Sequence, residues 1–405
     1  MSKLSKTRFL TFPALEKLDL MRNFYFFIHV SFALIITYLP AYMSASGYSG
    51  KQIAGLTSIG YLLAFFVPLL FGMLADRTQR PALIIRILLL AVVLSLLPFL
   101  TPGIGYAFLL VSYFFYSFFN VPIMGIADSL ATARAKERGS DYGKIRMWAA
   151  LGWFVASSSF GIVMDRLGFE SDSPWLFTVL IISFVIVFIV SLTLKERNTE
   201  SQERLKMSQV KKLFRNRTFT IFLIAVVFHY ISMAPFGVYI GPLVQELGLS
   251  QSVLGMTAGM ATGTEVLVLL AFGWLTKKMR IEAILLLAVI ITAFRWFIIS
   301  IVSTAAPLIM VQALHGATAG LFIAGAVTLV GDLAPKGLKA SSQMMYGLAG
   351  AGLGSLIGTN IAGFLSDYIS SVQRTFLFAS CIEVIPLILF TYLVIVNPKK
   401  QKNGE

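Results

Sequence analysis

Glu265, Arg295 and His315 are ionisable side chains set well inside long apolar stretches of a chain that is 57% hydrophobic and only 13% charged. A carboxylate or guanidinium near the centre of a bilayer costs at least about 2.5–3.5 kcal/mol, so such groups normally face a partner, a cavity or a polar path. Burial disfavours an ionised carboxyl whereas a nearby arginine favours it, so relative motion of the two can load or empty Glu265 with a proton. An imidazole titrates close to neutral pH, which lets His315 share that proton or orient a ligand. Together the three point to a membrane protein that handles something polar.

The elements that must position them are spanning helices, each needing roughly 20 predominantly apolar residues. The sequence offers twelve such windows, at 23–43, 53–74, 83–101, 104–127, 147–165, 175–194, 218–240, 252–276, 282–302, 306–330, 341–364 and 375–396. Between 83 and 127 the break Thr101-Pro102-Gly103 divides two apolar runs too long together for one crossing. A buried soluble core would show polar faces at helical period, which these windows mostly lack.

The formal net charge of +14 follows topology. With the N-terminus inside, only Lys51, Arg166 and Arg374 of the 33 Lys and Arg residues fall in the outer loops, and Arg86 and Arg295 fall in spans. The positive-inside rule therefore places both termini in the cytoplasm, and no nucleic-acid partner is needed to explain the charge. The single cysteine, Cys381, leaves no intramolecular disulfide and no thiolate metal motif. The first 22 residues are polar and basic and lead into a full-length span without a small-residue cleavage pattern, so no removable signal peptide is expected.

The longest polar break, 195–217, divides the chain into an N-terminal six-helix bundle (1–194), a cytoplasmic linker and a C-terminal six-helix bundle (218–405). A faint repeat accompanies the division: Gly72-Met-Leu-Ala-Asp76-Arg77 corresponds to Gly273-Trp-Leu-Thr-Lys277-Lys278, and Asp128 to Asp332. Parallel repeats of six spans predict two bundles with a central cavity between them near the midplane. The expected class is thus an all-α membrane protein of twelve transmembrane helices.

The loop Gly72-Met-Leu-Ala-Asp76-Arg77-Thr-Gln-Arg80, with the six-plus-six layout, resembles the major facilitator superfamily across essentially the whole chain. The resemblance implies that Gly72 permits close helix approach and that Asp76, Arg77 and Arg80 belong to a charge network stabilising one gate state. A narrower likeness lies in Asp128 and in Asp141-Tyr-Gly-Lys-Ile-Arg146-Met147-Trp148-Ala-Ala-Leu-Gly152-Trp153, which is similar to the region joining the fourth and fifth helices of the lactose permease and its relatives. It implies Asp128 and Arg146 as polar ligands of the substrate and Trp153 as a stacking platform. A charge pair offers donors and acceptors, and an indole face packs on a ring.

The order of Glu265, Phe294-Arg295-Trp296 and Leu314-His315-Gly316 resembles the same permeases, where acid, arginine and histidine link substrate recognition to proton binding. Arg295 and His315 are accordingly expected to bind substrate, and all three to couple it to a proton. Thr318 stands where the lactose permease has a second glutamate, so the pattern looks more like the phenylpropionate-permease branch, with nucleoside:proton symporters similar in outline. Aromatic acid, saccharide and nucleoside all stay open as substrates.

His29 and His229 lie among aromatics in the first span of each half and are expected to be hydrogen-bonded structurally, and Glu383 to pair locally. Arg86 is expected to snorkel to the cytoplasmic interface. Gly255, Gly259 and Gly263 form one small-residue ridge and Gly350, Gly354 and Gly358 another, both expected to face the opposite bundle. No Walker loop, His-Glu-x-x-His or Gly-x-Ser-x-Gly motif occurs, so no enzyme activity and no cofactor are expected, and energy would come from a proton gradient. The residues after Gly152 lack the antiporter signature of drug exporters, which ranks uptake symport above proton-coupled efflux of drugs or metabolites. The expectation is a monomeric proton-coupled symporter of a small organic solute in the lipid bilayer, a bacterial inner membrane, working by alternating access. A non-transporting membrane sensor is the alternative of another kind.

Overall fold

In hydrocarbon every backbone polar group must be satisfied within the protein, which leaves this apolar chain the helix as its repeating solution. A computed structural model describes residues 20–101, 103, 105–137, 142–196, 213–335 and 338–396. Among them there is no strand. The helices are α1 (Leu20–Ala45), α2 (Gly50–Thr78), α3 (Pro81–Leu100), α4 (Tyr106–Glu137), α5 (Tyr142–Leu167), α6 (Trp175–Ser191), α7 (Arg217–Glu246), α8 (Gln251–Lys278), α9 (Ile281–Ile299), α10 (Ala305–Leu333), α11 (Lys339–Ile369) and α12 (Val372–Val396). Eleven are long and apolar enough to cross a membrane, and their outer faces expose large apolar side chains such as Ile87, Met310 and Ile395.

The twelfth, α6, is shorter than the expected 175–194. Its C-terminal carbonyls are met by Arg86, which donates to Ser191 O (3.2 Å), Leu192 O (3.4 Å) and Leu194 O (2.7 Å). Glu196 in turn accepts the N–H groups of Ala82 and Leu83 at the start of α3 (2.9 and 2.8 Å). Arg86 therefore caps the end of α6 that adjoins the linker expected on the cytoplasmic side. Pro68 marks another interruption. It lacks an N–H and disfavours helix just before it, so α2 breaks between Leu63 and Val67.

Helices α1 to α6 pack on one another, as do α7 to α12, and the two groups meet through α1 with α7, α2 with α11, and α5 with α8. At the end that holds the short loops after α1, α5, α7 and α11, the meeting is tight and symmetric. The Asp165 carboxylate at the end of α5 accepts the first N–H groups of α8, from Gln251 (3.1 Å) and Ser252 (2.8 Å). The Asp367 carboxylate at the end of α11 accepts those of α2, from Gly50 (2.6 Å) and Lys51 (3.0 Å). Each carboxylate satisfies orphan donors and meets the positive end of a helix dipole. Tyrosines complete the pattern: Tyr38 donates to Ser157 O (2.6 Å) and accepts from Gly161 N, while Tyr239 donates to Gly50 O (2.9 Å) and Thr359 O. Only glycine fits beneath them, because a Cβ on Gly161 would strike Gln251 O and one on Gly363 would lie 2.6 Å from Gly50 O.

The opposite end is open. The second segment of α2 (Val67–Thr78) packs on α3 and α4, and a Cβ on Gly72 would meet nothing within 4 Å. Among the described residues no helix of the other half packs against this face of Gly72. Asp76 lies in the last turns of the same segment; Arg77 lines a shallow groove with Leu70, Leu74 and Phe118, and Arg80 is exposed at the start of α3. The ridge Gly255-Gly259 does face the other half, against Ser157 and Ser158 of α5. The ridge Gly350-Gly354-Gly358 does not: it receives Tyr230, Val227 and Ile231 of α7 in its own half.

Each carboxylate cap is worth about 1 kcal/mol, equivalent to roughly a fivefold shift in a two-state equilibrium. In a Cys381→Ser background carrying Ser58→Cys, Asp165→Asn or Asp367→Asn should speed maleimide labelling roughly fivefold, and the double variant about twenty-five-fold. Unchanged labelling in the double variant would show that these carboxylates do not hold the end shut.

Candidate functional site

Between the halves lies a cavity of about 830 Å³, lined by α1, α5, α7, α8 and α10. Most of its wall is apolar. The polar side chains in it are His29, Thr37, Lys144, Arg146, Trp153, Thr262, Glu265 and His315. Four of the expected site residues thus reach it, Arg146, Trp153, Glu265 and His315, together with His29, which was expected to be structural. Asp128 and Arg295 do not line it and stand one layer behind.

The α8–α10 contact sets the acid against the histidine. Gly316 lets the backbones touch, since a Cβ there would lie on Thr264 O. The Thr264 hydroxyl sits across the α10 ladder, accepting from Gly316 N (3.3 Å) and donating to Gln312 O (3.5 Å). A π-turn follows at Gly316–Gly320, an irregularity common at functional positions. His315 Nε2 consequently lies 3.8 Å from Glu265 Oε2. Glu265 takes no hydrogen bond from another side chain among the described residues, and it is 29% exposed to the cavity.

Behind His315, Arg295 is fully buried between two aromatic faces, 4.3 Å from the Phe236 ring centre and 4.5 Å from that of Trp296. It donates to His315 Nδ1 (2.9 Å), Thr318 Oγ1 (3.2 Å) and Gln312 Oε1. A guanidinium has no acceptor, so His315 Nδ1 is unprotonated and the neutral ring carries its hydrogen on Nε2, toward Glu265. Thr318 therefore has a definite job as an acceptor for Arg295. His29 shows the complementary tautomer: Nδ1 faces the Tyr25 carbonyl (2.9 Å) and must carry the proton, which leaves Nε2 as an acceptor at the cavity wall.

In the N-terminal half Asp128 and Arg146 form no direct pair. Arg146 donates to the Tyr142 hydroxyl (3.2 Å), Tyr142 donates to Asp128 Oδ1 (2.7 Å), and Tyr25 donates to the same oxygen. Asp128 is thus an anchor for two tyrosines and holds Arg146 through one of them. Asp141, quoted in the same motif, lies outside the described residues, as does the linker from 197 to 212.

Sequence reading assigned no role to Tyr25, Tyr142, Lys144, Phe236 or Gln312. A tyrosine in an aromatic-rich span carries no periodic signal, but Gln312, an amide inside an apolar run three residues before His315, was a visible one. His229 and Glu383 find each other away from the cavity: Nδ1 and Oε1 are 2.5 Å apart, Ser232 donates to the other carboxylate oxygen, and Phe322 stacks on the imidazole at 3.6 Å. Both are buried, at 2% and 0% exposure.

A sequence model of the MFS_1 like family matches residues 18–378. The chain is 26% identical to the maltose permease of Geobacillus stearothermophilus, over 90% of its own length and 92% of that protein. It is 23% identical to the probable 3-phenylpropionic acid transporter of Escherichia coli strain K12, over 85% and 90% of the two chains. The crystal structure of the nucleoside transporter NupG superposes with a TM-score of 0.80 at 17% identity, covering 92% of this chain and 98% of that one. That last likeness is one of fold.

Removing one member of a buried, hydrogen-bonded acid–imidazole pair costs about 3 kcal/mol because the other is left unpaired. Glu383→Ala should therefore lower unfolding stability by about 3 kcal/mol in a denaturant titration, and Glu383→Gln by about 1 kcal/mol. A loss below about 0.5 kcal/mol for the alanine variant would show that the cluster is not structural.

Proposed function

We propose that this chain, which belongs to the MFS_1 like family, is a proton-coupled symporter that takes up a small organic solute through one central site by alternating access. The family is one of membrane transporters, and the relatives above carry a saccharide or an aromatic acid by name. Lys144, Arg146, Trp153 and His315 contact the solute in this reading, and Asp128 and Arg295 position them from behind. Glu265 is the proton site.

The observation that carries the reading is the state of Glu265: a carboxylate at the cavity wall, with no hydrogen-bond donor of its own, 3.8 Å from the His315 ring. A carboxylate satisfied by fixed donors would hold its charge, whereas one facing a water-filled cavity and a single movable partner can take a proton and release it. Arg146 on α5 and Glu265 on α8 line the same cavity from opposite halves, so rocking of the halves alters the distance between acid and cation. Closure at one end by the Asp165 and Asp367 contacts, with the other end open, supports a carrier caught facing one side. The distribution of Lys and Arg supports a cytoplasmic open side, cytoplasmic termini and a bacterial inner membrane. The proton gradient supplies the energy, and a monomer contains the whole site.

Purified protein in sealed vesicles, with a pH dye inside, tests this. A transported solute should acidify the lumen in step with its own entry, and Glu265→Gln should cut solute-driven proton movement at least tenfold while leaving solute binding measurable. Solute entry without proton movement, or coupling intact in Glu265→Gln, would overturn Glu265 as the proton site.

A further inference from the structure

We propose that the cavity is built for an organic anion with an apolar body, a monocarboxylate, and that the anion moves with one proton so that the cycle is electroneutral. This rests on the transport reading and names the substrate class of that same site. Three observations carry it.

The first is the lining. Lys144 and Arg146 are two cations against the single carboxylate of Glu265, and neither has a carboxylate partner among the described residues. Among the described residues no asparagine or glutamine lines the cavity. A saccharide presents many hydroxyls, each of which loses free energy if buried unpaired, and it needs amides and carboxylates in number. This wall offers aromatic and aliphatic surface from Trp153, Phe236 and Ile240 with a few strong donors instead.

The second is Arg295. Its donors go to an imidazole nitrogen, a hydroxyl and an amide oxygen, all neutral, and its Nε has no partner. A buried cation without a carboxylate is expensive. Its uncompensated field reaches the cavity through the His315 ring, whose Nε2–H points the same way, and together they make a pole for a negative group.

The third is Gln312, the positioning residue. It is fully buried, its Nε2 is anchored on Leu308 O (3.1 Å), and its Oε1 meets Arg295. A neutral amide holds the guanidinium in place without cancelling its charge. Glutamate here would have the same shape and would cancel it.

The groups facing Glu265 are Lys144 and Arg146 on α5, His29 on α1, His315 on α10, Arg295 behind it on α9 and Tyr230 on α7. A substrate carboxylate and an ionised Glu265 compete for the same cations. The anion therefore settles when Glu265 is protonated, and the empty site ionises Glu265 again. Loaded and empty carriers then bear equal charge.

The test uses detergent-purified protein and calorimetry with benzoate, 3-phenylpropionate and indole-3-acetate, each beside its neutral amide, and with maltose and uridine. At least one acid should bind ten times or more tighter than its amide. Gln312→Glu should weaken that acid at least tenfold, leave the amide unchanged and not lower the melting temperature. Equal binding of acid and amide, binding of none of the three acids, or parallel loss of both ligands in Gln312→Glu would overturn the proposal. In vesicles clamped with potassium and valinomycin, acid uptake should be indifferent to membrane potential, and potential-driven uptake would overturn electroneutrality. Acid binding without flux would sink the transport reading and leave this site assignment standing. Uptake of maltose or uridine with no acid bound would do the reverse.

Discussion

Two carboxylates, Asp165 and Asp367, each seated on the first N–H groups of a helix in the opposite half, define the conformation on which everything else depends. The first N–H groups of a helix have no partner within it, and at this exposed loop end they are met by carboxylates. Meeting them across the interface, rather than within a half, turns a local requirement into a clamp. The clamp closes one end of the cavity, and because helices are rigid rods on this scale, closing one end spreads the other. The bare surroundings of Gly72 at the far end are the same event seen from the opposite side.

The site in the middle is a second solution to the cost of polar groups in a dry interior. Asp128 is met by Tyr25 and Tyr142, and the His229–Glu383 pair by Ser232, so these groups have their hydrogen-bond partners. Arg295 and Glu265 are not treated that way. One is a cation given only neutral acceptors, and the other is an acid given no donor within bonding reach. Such incomplete satisfaction marks where free energy is held available for a ligand or a proton.

The fold was legible because hydropathy over a span reports a one-dimensional constraint, the thickness of the membrane, that needs no knowledge of packing. The window at 175–194 holds a shorter helix, Trp175–Ser191, whose last carbonyls Arg86 meets from α3. The site was legible in part. Glu265, Arg146, Trp153 and His315 reached the cavity, but whether a residue faces it or stands behind depends on helix rotation. That rotation placed Asp128 and Arg295 in the second layer. The clamp itself was written in the sequence as Gly161-x-x-x-Asp165 and Gly363-x-x-x-Asp367, with Ser49-Gly50 and Ser250-Gln251 as the matching helix starts. It is a sharper repeat than the one around Gly72, yet its residues acquire meaning only when the ends of α5 and α11 are seen to meet α8 and α2.

Clamp and site share the same helix faces. On α5, Arg146, Trp153, Ser157, Gly161 and Asp165 follow one another at spacings of seven, four, four and four residues, a single stripe. On α8, Gln251, Gly255, Ala258, Thr262 and Glu265 do likewise at four, three, four and three. One end of each stripe carries the clamp and the other end walls the cavity. A change in the distance between Arg146 and Glu265 would turn the stripes about their middle, where a Cβ on Gly255 would lie 2.5 Å from Ser157 O. The glycines keep α8 close to the α5 backbone at that contact, with the small Ser158 side chain and the Tyr38 hydroxyl beside it. Any movement of these stripes at the cavity is carried along the same helices to the N–H groups that Asp165 holds.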